Sequence, residues 1–317
     1  MELRKVKMMY NSARKIIANL TRPARKYLEY KIRLNFLLKR SSKDKRRSII
    51  RHEAHRIEKA YYNDVFKKNP KIYEDKAKII NSILREDFGN TPYEPDMLWA
   101  KEIAENFRNL DTTFIDNSKA KNNNHAHRVD RVQEFYLNME ERRSNRTWSE
   151  IQPSASVLTD LANRLVSVAV DMPSSGNRQT SRFLILCGKE ETQTLRGLKE
   201  AHCFNAPLVI ITFTDETLYG SYGTFGKNED CILIDGAIST TAMMIAAELE
   251  GYSTCWNHFG TDLIKSRKTN QAAYKALQEK FRVRPNLRPI SALAIGKEKF
   301  LHPKPKRMDR KEFLNVS

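Results

Sequence analysis

Three short runs without a charged residue, 183–187, 206–213 and 289–296, constrain this chain more than anything else in it. Each is five to eight residues long, rich in Ile, Leu, Val and Phe, and bounded by polar or turn-forming residues. That is too short for a core helix and too apolar for a loop, so each reads as a buried strand. Helical patterns lie between them. Val157, Leu161, Leu165 and Ala169 fall at steps of four, with Ser156 as the expected N-cap. A helix is expected over 190–201 and another around 271–280. The stretch 235–251 is small and apolar on nearly all sides, which implies burial in a core or against a second subunit, and Gly251 suits the position just past its end. Strands alternating with helices argue, on the residues alone, for an α/β arrangement.

The front of the chain is different. Residues 1–50 carry 16 Lys and Arg against 3 Asp and Glu, while the remaining 267 carry 40 against 35. Much of the net charge of +18 therefore sits in one sixth of the chain. Ile16, Ile17, Leu20, Tyr27, Leu28 and Ile32 recur at helical spacing among the basic residues, with a break at Pro23. Such a segment fits a helix packed on its own domain or on a protein partner first, an anionic membrane surface second, and nucleic acid last. No aromatic-and-glycine RNA motif and no zinc-finger spacing supports the last. Helical patterns continue through 53–88 and over 96–110, where Leu98, Ile103 and Phe107 define the apolar side. The division expected is a basic helical extension over 1–117, a polar linker over 118–127 and a main domain over 128–317.

The four cysteines have no Cys-x-x-Cys spacing, and neither they nor His125 and His127 complete a metal pattern. A reducing, cytoplasmic setting is expected, with the basic front able to place the protein at a membrane periphery. No uninterrupted apolar run approaches the ~20 residues that cross a bilayer.

Three stretches carry the candidate chemistry. The first is Arg142, Arg143, Ser144 and Arg146, at the end of a helix expected over 128–141. Guanidinium groups donate paired hydrogen bonds to phosphate, and a serine adds a compact donor. The second is Pro173, Ser174, Ser175, Asn177 and Gln179, a turn of hydroxyl and amide groups without fixed charge, fit to hold a polar heterocycle by its edge. The third is the basic end around Lys306 and Arg307. A glycine- and aromatic-bearing loop over 214–230 is suited to closing over a ligand.

Taken in order, these pieces resemble the FMN-dependent nitroreductase family. The resemblance covers about 128–314 and is carried by the Arg142–Arg146 cluster, the Pro173 to Gln179 motif, Ala206-Pro207, Asp235-Gly236, and Lys306-Arg307. It implies an α+β fold, a nitroreductase-like three-layer arrangement with a mixed central sheet flanked by helices, preceded by the mainly helical extension. It implies a homodimer with FMN at the interface. Arg142 and Ser144 would hold the phosphate and ribityl chain, with Lys306 or Arg307 adding to the phosphate contacts, Arg146 would face the pyrimidine side, and Arg143 would be among the cofactor-binding residues. Pro173, Ser174, Ser175, Asn177 and Gln179 would reach the ring, from the other subunit. Trp256, Asn257 and His258 would run beside the flavin. NAD(P)H would give hydride to the flavin, and an electron-poor small molecule would take it in a ping-pong cycle. No acid/base dyad is needed, because the cofactor carries the chemistry.

The sequence also departs from the family pattern. Thr180-Ser181 stand where Pro-Trp is usual, and a short Gly-rich loop replaces the helical excursion over the pocket. A dehalogenating or biosynthetic tailoring flavoenzyme is therefore an alternative. So is a protein that docks on a membrane or polyanion and uses the flavin fold as a scaffold.

Overall fold

The computed structural model describes residues 41–62, 70–89, 92–107, 125–219, 229–303, 307–308 and 310–314. Residues 1–40, the linker residues 118–124, loop residues 220–228 and Lys306 lie outside them, and with them much of the expected extension and lid. The described residues form two compact units.

Among the described residues the first unit holds three helices, α1 (Lys43–Tyr62), α2 (Pro70–Phe88) and α3 (Pro95–Asn106). Its core comes from one stripe of each: Ile50, Ala54 and Ile57; Ala77, Ile80, Leu84 and Phe88; Met97, Ala100 and Ala104. Steps of three and four put these residues on one face, and a fully buried Ile or Leu contributes about 1.5–3 kcal/mol. Leu98, expected on the apolar side of α3, is exposed. The stripe runs through Met97, Ala100, Ile103 and Ala104 instead, so a reading from Leu98 starts one residue off. Gly176–Arg178 and Thr217–Glu229 also belong to this unit, which a linear division of the chain does not anticipate.

The second unit is a three-layer α+β domain. Helices α4 (His125–Glu141) and α5 (Ala155–Val170) precede the first strand. The expected linker residues His125 to His127 form the first turn of α4. Ser154 caps α5 by accepting the Val157 amide proton, two residues before the expected cap. Then follow β1 (Ser181–Cys187), the short helices α6 (Lys189–Thr192) and α7 (Ala201–Phe204), β2 (Leu208–Asp215), α8 (Glu229–Leu249), β3 (Ser253–His258), α9 (Thr261–Lys265), α10 (Lys268–Phe281), β4 (Leu287–Gly296) and α11 (Arg310–Leu314).

The sheet order is β1-β2-β4-β3, and every ladder is antiparallel. One parallel bridge, Ser144 to Thr254, joins the chain after α4 to the outer side of β3. The α/β arrangement argued from residues alone is thus corrected. β2 and β4 are buried on both faces, and a central antiparallel strand of that kind shows the same unbroken apolar run as a parallel one.

Leu161, Leu165, Met243 and Ala247 of α5 and α8 pack on one sheet face against Ile210 and Leu293. Leu277 of α10 and Cys203 pack on the other against Ile211 and Ala292. β3 was not legible as a strand, because an edge strand carrying Ser, Thr, Asn and His resembles a loop. The helix expected over 190–201 is broken into α6, a 3-10 turn at Gln193–Leu195, and a left-handed Gly197 (φ +81°).

α8 begins at Glu229, six residues before the expected start at Asp235. By length and composition it could cross a membrane, which a search for uninterrupted apolar runs misses. Here one face lies on the sheet, and it is partly polar: Asp235, Ser239 and Thr240 are buried. Thr240 donates to Thr212 Oγ1 (2.9 Å) and lies 2.6 Å from Ser291 Oγ. Gly236 permits that approach. A Cβ there would stand 2.7 Å from Ile290 Cγ1 and 2.9 Å from Thr214 Oγ1.

Candidate functional site

Helix α4 delivers the arginine cluster. The Arg142 amide closes its last turn on the Asn138 carbonyl (2.8 Å). The chain then turns along the outer side of β3: Ser144 bridges Thr254, and the Asn145 amide donates to the Thr254 carbonyl (2.8 Å). Asn145 is buried and its Nδ2 donates to the Thr147 carbonyl (2.7 Å), which fixes the turn. Arg146 is exposed. Its amide faces His302 Nε2 (3.4 Å), which also lies 3.0 Å from Thr147 Oγ1.

Arg143 is the unusual member. Its Nε and Nη1 are buried and have no hydrogen-bond partner among the described residues. A buried unsatisfied donor costs about 1–3 kcal/mol, more for a charged group. An anion with several acceptor oxygens would satisfy both, so the donor set fits a phosphate.

β3 brings the expected Trp256, Asn257 and His258 segment to the same place. Thr254, Trp256 and His258 share one face of the strand by its two-residue alternation. The Thr254 amide and hydroxyl both donate to Glu248 Oε1 (3.0 and 2.6 Å). The His258 carbonyl accepts from Lys199 Nζ (2.7 Å). Both residues turn their backbone groups away from β4, so the Trp256 N–H between them does the same. Trp256 is 38% exposed on this edge strand. Asn257 points to the opposite face, where its Nδ2 donates to the Cys255 and Ala292 carbonyls (2.8 and 3.2 Å) and its Oδ1 lies 2.7 Å from His202 Nε2. Its side chain is part of the core and its backbone groups face β4, so the expected contact of Asn257 with a ligand at this edge is not formed: alternation along the strand turns it inward. His258 is exposed, with Nε2 2.9 Å from Asp262.

Burial pushes the Glu248 carboxyl up; the hydrogen bond from Thr254 and the charge of Arg142 oppose it. Glu248, Thr254 and His302 were not singled out in the sequence. The only signal for them was the bridge to β3, a tertiary event.

The polar turn is held by Asp235. Its carboxylate accepts the Ser175 amide proton (3.0 and 3.1 Å) and faces Thr180 Oγ1 (3.5 Å). Ser174 Oγ accepts the Gln179 amide proton (2.8 Å). Pro173 is exposed, and Ser174 and Ser175 are half-buried. Gly176, Asn177 and Gln179 all adopt left-handed backbone (φ +62°, +52° and +54°). Glycine and asparagine tolerate that region; for glutamine it is unusual.

The two groups are not together in one chain. Thr254 lies in the row of Cys187, six residues along β1 from Ser181 and three strands across. At ~3.3 Å per residue and ~4.8 Å per strand the separation is roughly 25 Å. Arg307 is exposed, and Lys306 lies outside the described residues.

No protein-family model and no curated protein matches the chain. Among solved structures it is similar to a nitroreductase-like protein from Streptococcus mutans, with 17% identity over 59% of this chain and 99% of that one and a TM-score of 0.46. It is also similar to an FMN-dependent nitroreductase from Clostridium difficile R20291 (19% identity, 57% and 96% covered, TM-score 0.44). A nitroreductase family protein from Clostridium difficile 630 is 24% identical, with 56% and 95% covered and a TM-score of 0.43. At those scores fold and chemistry rest on this chain's own residues, as described above.

Proposed function

We propose that the second unit is an FMN-dependent oxidoreductase domain using NAD(P)H to reduce an electron-poor organic molecule. The observation that carries this reading is the meeting of two sequence-distant groups. The fold lays the Arg142–Arg146 arm along the outer side of β3, beside Trp256, although the two are some hundred residues apart. Arg143 offers two buried donors there, with Ser144 beside it. In this reading Arg142, Arg143 and Ser144 bind the phosphate, Arg146 sets the charge near the pyrimidine edge, and the Trp256 N–H faces the ring. When bound, FMN would supply the hydride chemistry. The chain's own residues bind and orient it, and none is asked to act as acid or base.

The polar turn, roughly 25 Å from the arm in the same chain, belongs in this reading to the site of a second copy. Several observations favour such a pairing. Phe135, Tyr136 and Leu137 of α4, Leu233 and Ile234 of α8, and Phe313 and Leu314 of α11 are all exposed apolar side chains. Single exposed apolar residues are ordinary, but runs of them on three helices point to a covered surface.

The test is direct. Purified protein should be yellow or should take up FMN with quenching of its fluorescence, and should sediment as a dimer. Colourless protein that leaves added FMN unquenched would end the reading. A monomer that binds FMN fully would end its two-copy part.

A further inference from the structure

The polar turn has a second anchor. Gly176–Arg178 belongs to the first unit, where α1 meets it with two consecutive side chains. Arg51, 4% exposed, donates through Nη1 to Asp96 Oδ2 (2.7 Å) and through Nη2 to the Arg178 carbonyl (2.7 Å). Asp96 also accepts from Arg47 Nε (2.7 Å), so its carboxylate is held from two sides. The His52 ring lies over Gly176: a Cβ on that glycine would stand 2.3 Å from His52 Cδ2. His52 Nδ1 faces Glu53 (3.3 Å), and Glu53 pairs with Lys76 of α2 in the core. The Arg178 guanidinium lies 5.9 Å from the centre of the Tyr219 ring.

These contacts fall on the most strained backbone described in the chain. Three of the four residues from Gly176 to Gln179 are left-handed, two of them not glycine. Such conformations cost about 1–3 kcal/mol each for a residue with a side chain, and persist only where the surroundings over-determine them. A carbonyl gripped by a buried guanidinium, which is itself fixed by a half-buried carboxylate, is such a surrounding. The apolar cluster of these helices does not include Arg51 or His52, and Arg51 reaches past its partner Asp96 on α3 to the turn.

We propose that the N-terminal helical unit is a clamp that holds the Gly176–Arg178 turn in its left-handed shape, with Arg51 and His52 as its positioning residues. The consequence for Asn177 as a ring contact rests on the flavin reading above; the clamp itself does not. A turn held ready to bind saves the ligand the ordering cost, so loosening it weakens binding without removing any ligand contact.

The experiment uses the full chain without cofactor. Hydrogen exchange is followed in a peptide covering residues 174–180, whose Ser175 and Gln179 amides report the turn, with a β2 peptide as reference. Arg51→Ala removes the grip, Arg51→Lys keeps the charge beside Asp96 but loses the two-pronged geometry, and Gly176→Ala strains the turn from its own side. We expect exchange in 174–180 to quicken about tenfold to a hundredfold in all three with β2 still protected, and FMN affinity to fall alongside. Unchanged exchange in 174–180, in any of the three that keeps β2 protected, overturns the clamp. Quickened exchange in a protein that binds no FMN upholds the clamp and sinks the flavin reading instead.

Discussion

Replacing Arg143 with alanine should separate a ligand-binding arginine from a structural one. In the ligand-free protein its Nε and Nη1 are buried and find no acceptor among the described residues. Each such donor costs about 1–3 kcal/mol, so removing them returns part of that cost, against which stands the packing of the aliphatic stem. The ligand-free Arg143→Ala protein should therefore unfold at the same temperature as the parent or a few degrees higher. FMN binding should move the other way. A charge-assisted hydrogen bond is worth about 1.5–3 kcal/mol, which predicts roughly a ten- to hundredfold rise in Kd, and more if both donors reach one phosphate. The assay is a pair of measurements on the same preparation: thermal unfolding without cofactor, and a fluorescence titration with FMN. Loss of stability together with unchanged affinity would refute the reasoning, because it would make Arg143 a packing residue with partners that matter only to the fold.

Three further outcomes are expected. Burial holds the His52 pKa below its ordinary 6.5, with Arg178 and Arg56 pushing the same way and Glu53 opposing. The unfolded chain then takes up that proton first, so stability is full above about pH 6.5 and falls as pH drops through the lower folded value. Unfolding temperatures between pH 7.5 and 5 should show this, and His52→Gln should flatten the upper part of the slope. Gly236→Ala should cost about 1–3 kcal/mol by denaturant unfolding, because its Cβ would press on Ile290 and Thr214 between α8 and the sheet. Burial pushes the Cys203 thiol up to about 12, so it should resist thiol reagents in the folded protein and react at once in denaturant.

The strands β1, β2 and β4 were legible from their apolar runs, but only β2 and β4 are buried as expected: β1 lies at the sheet edge and is half-buried except at Leu186. α5 was legible because Leu161, Leu165 and Ala169 repeat at the helical period. Asn177 and Arg143 could be nominated from their chemistry, since amides and guanidinium groups recognise few things. The direction of the strands could not be read, because burial on both faces erases the alternation that distinguishes antiparallel pairing. Nor could β3, whose polar edge residues are explained only by the arm that docks on it through Thr254.

The chain's local chemistry thus determined which segments are buried and which side chains can meet an anion or a polar ring, since solvation and hydrogen-bonding capacity belong to each residue by itself. Tertiary structure alone decided that Arg143 lies beside β3, that the polar turn stands roughly 25 Å away in the same chain, and that Arg51 grips that turn. Those are meetings between residues tens to more than a hundred positions apart, and no local preference encodes a distance of that kind.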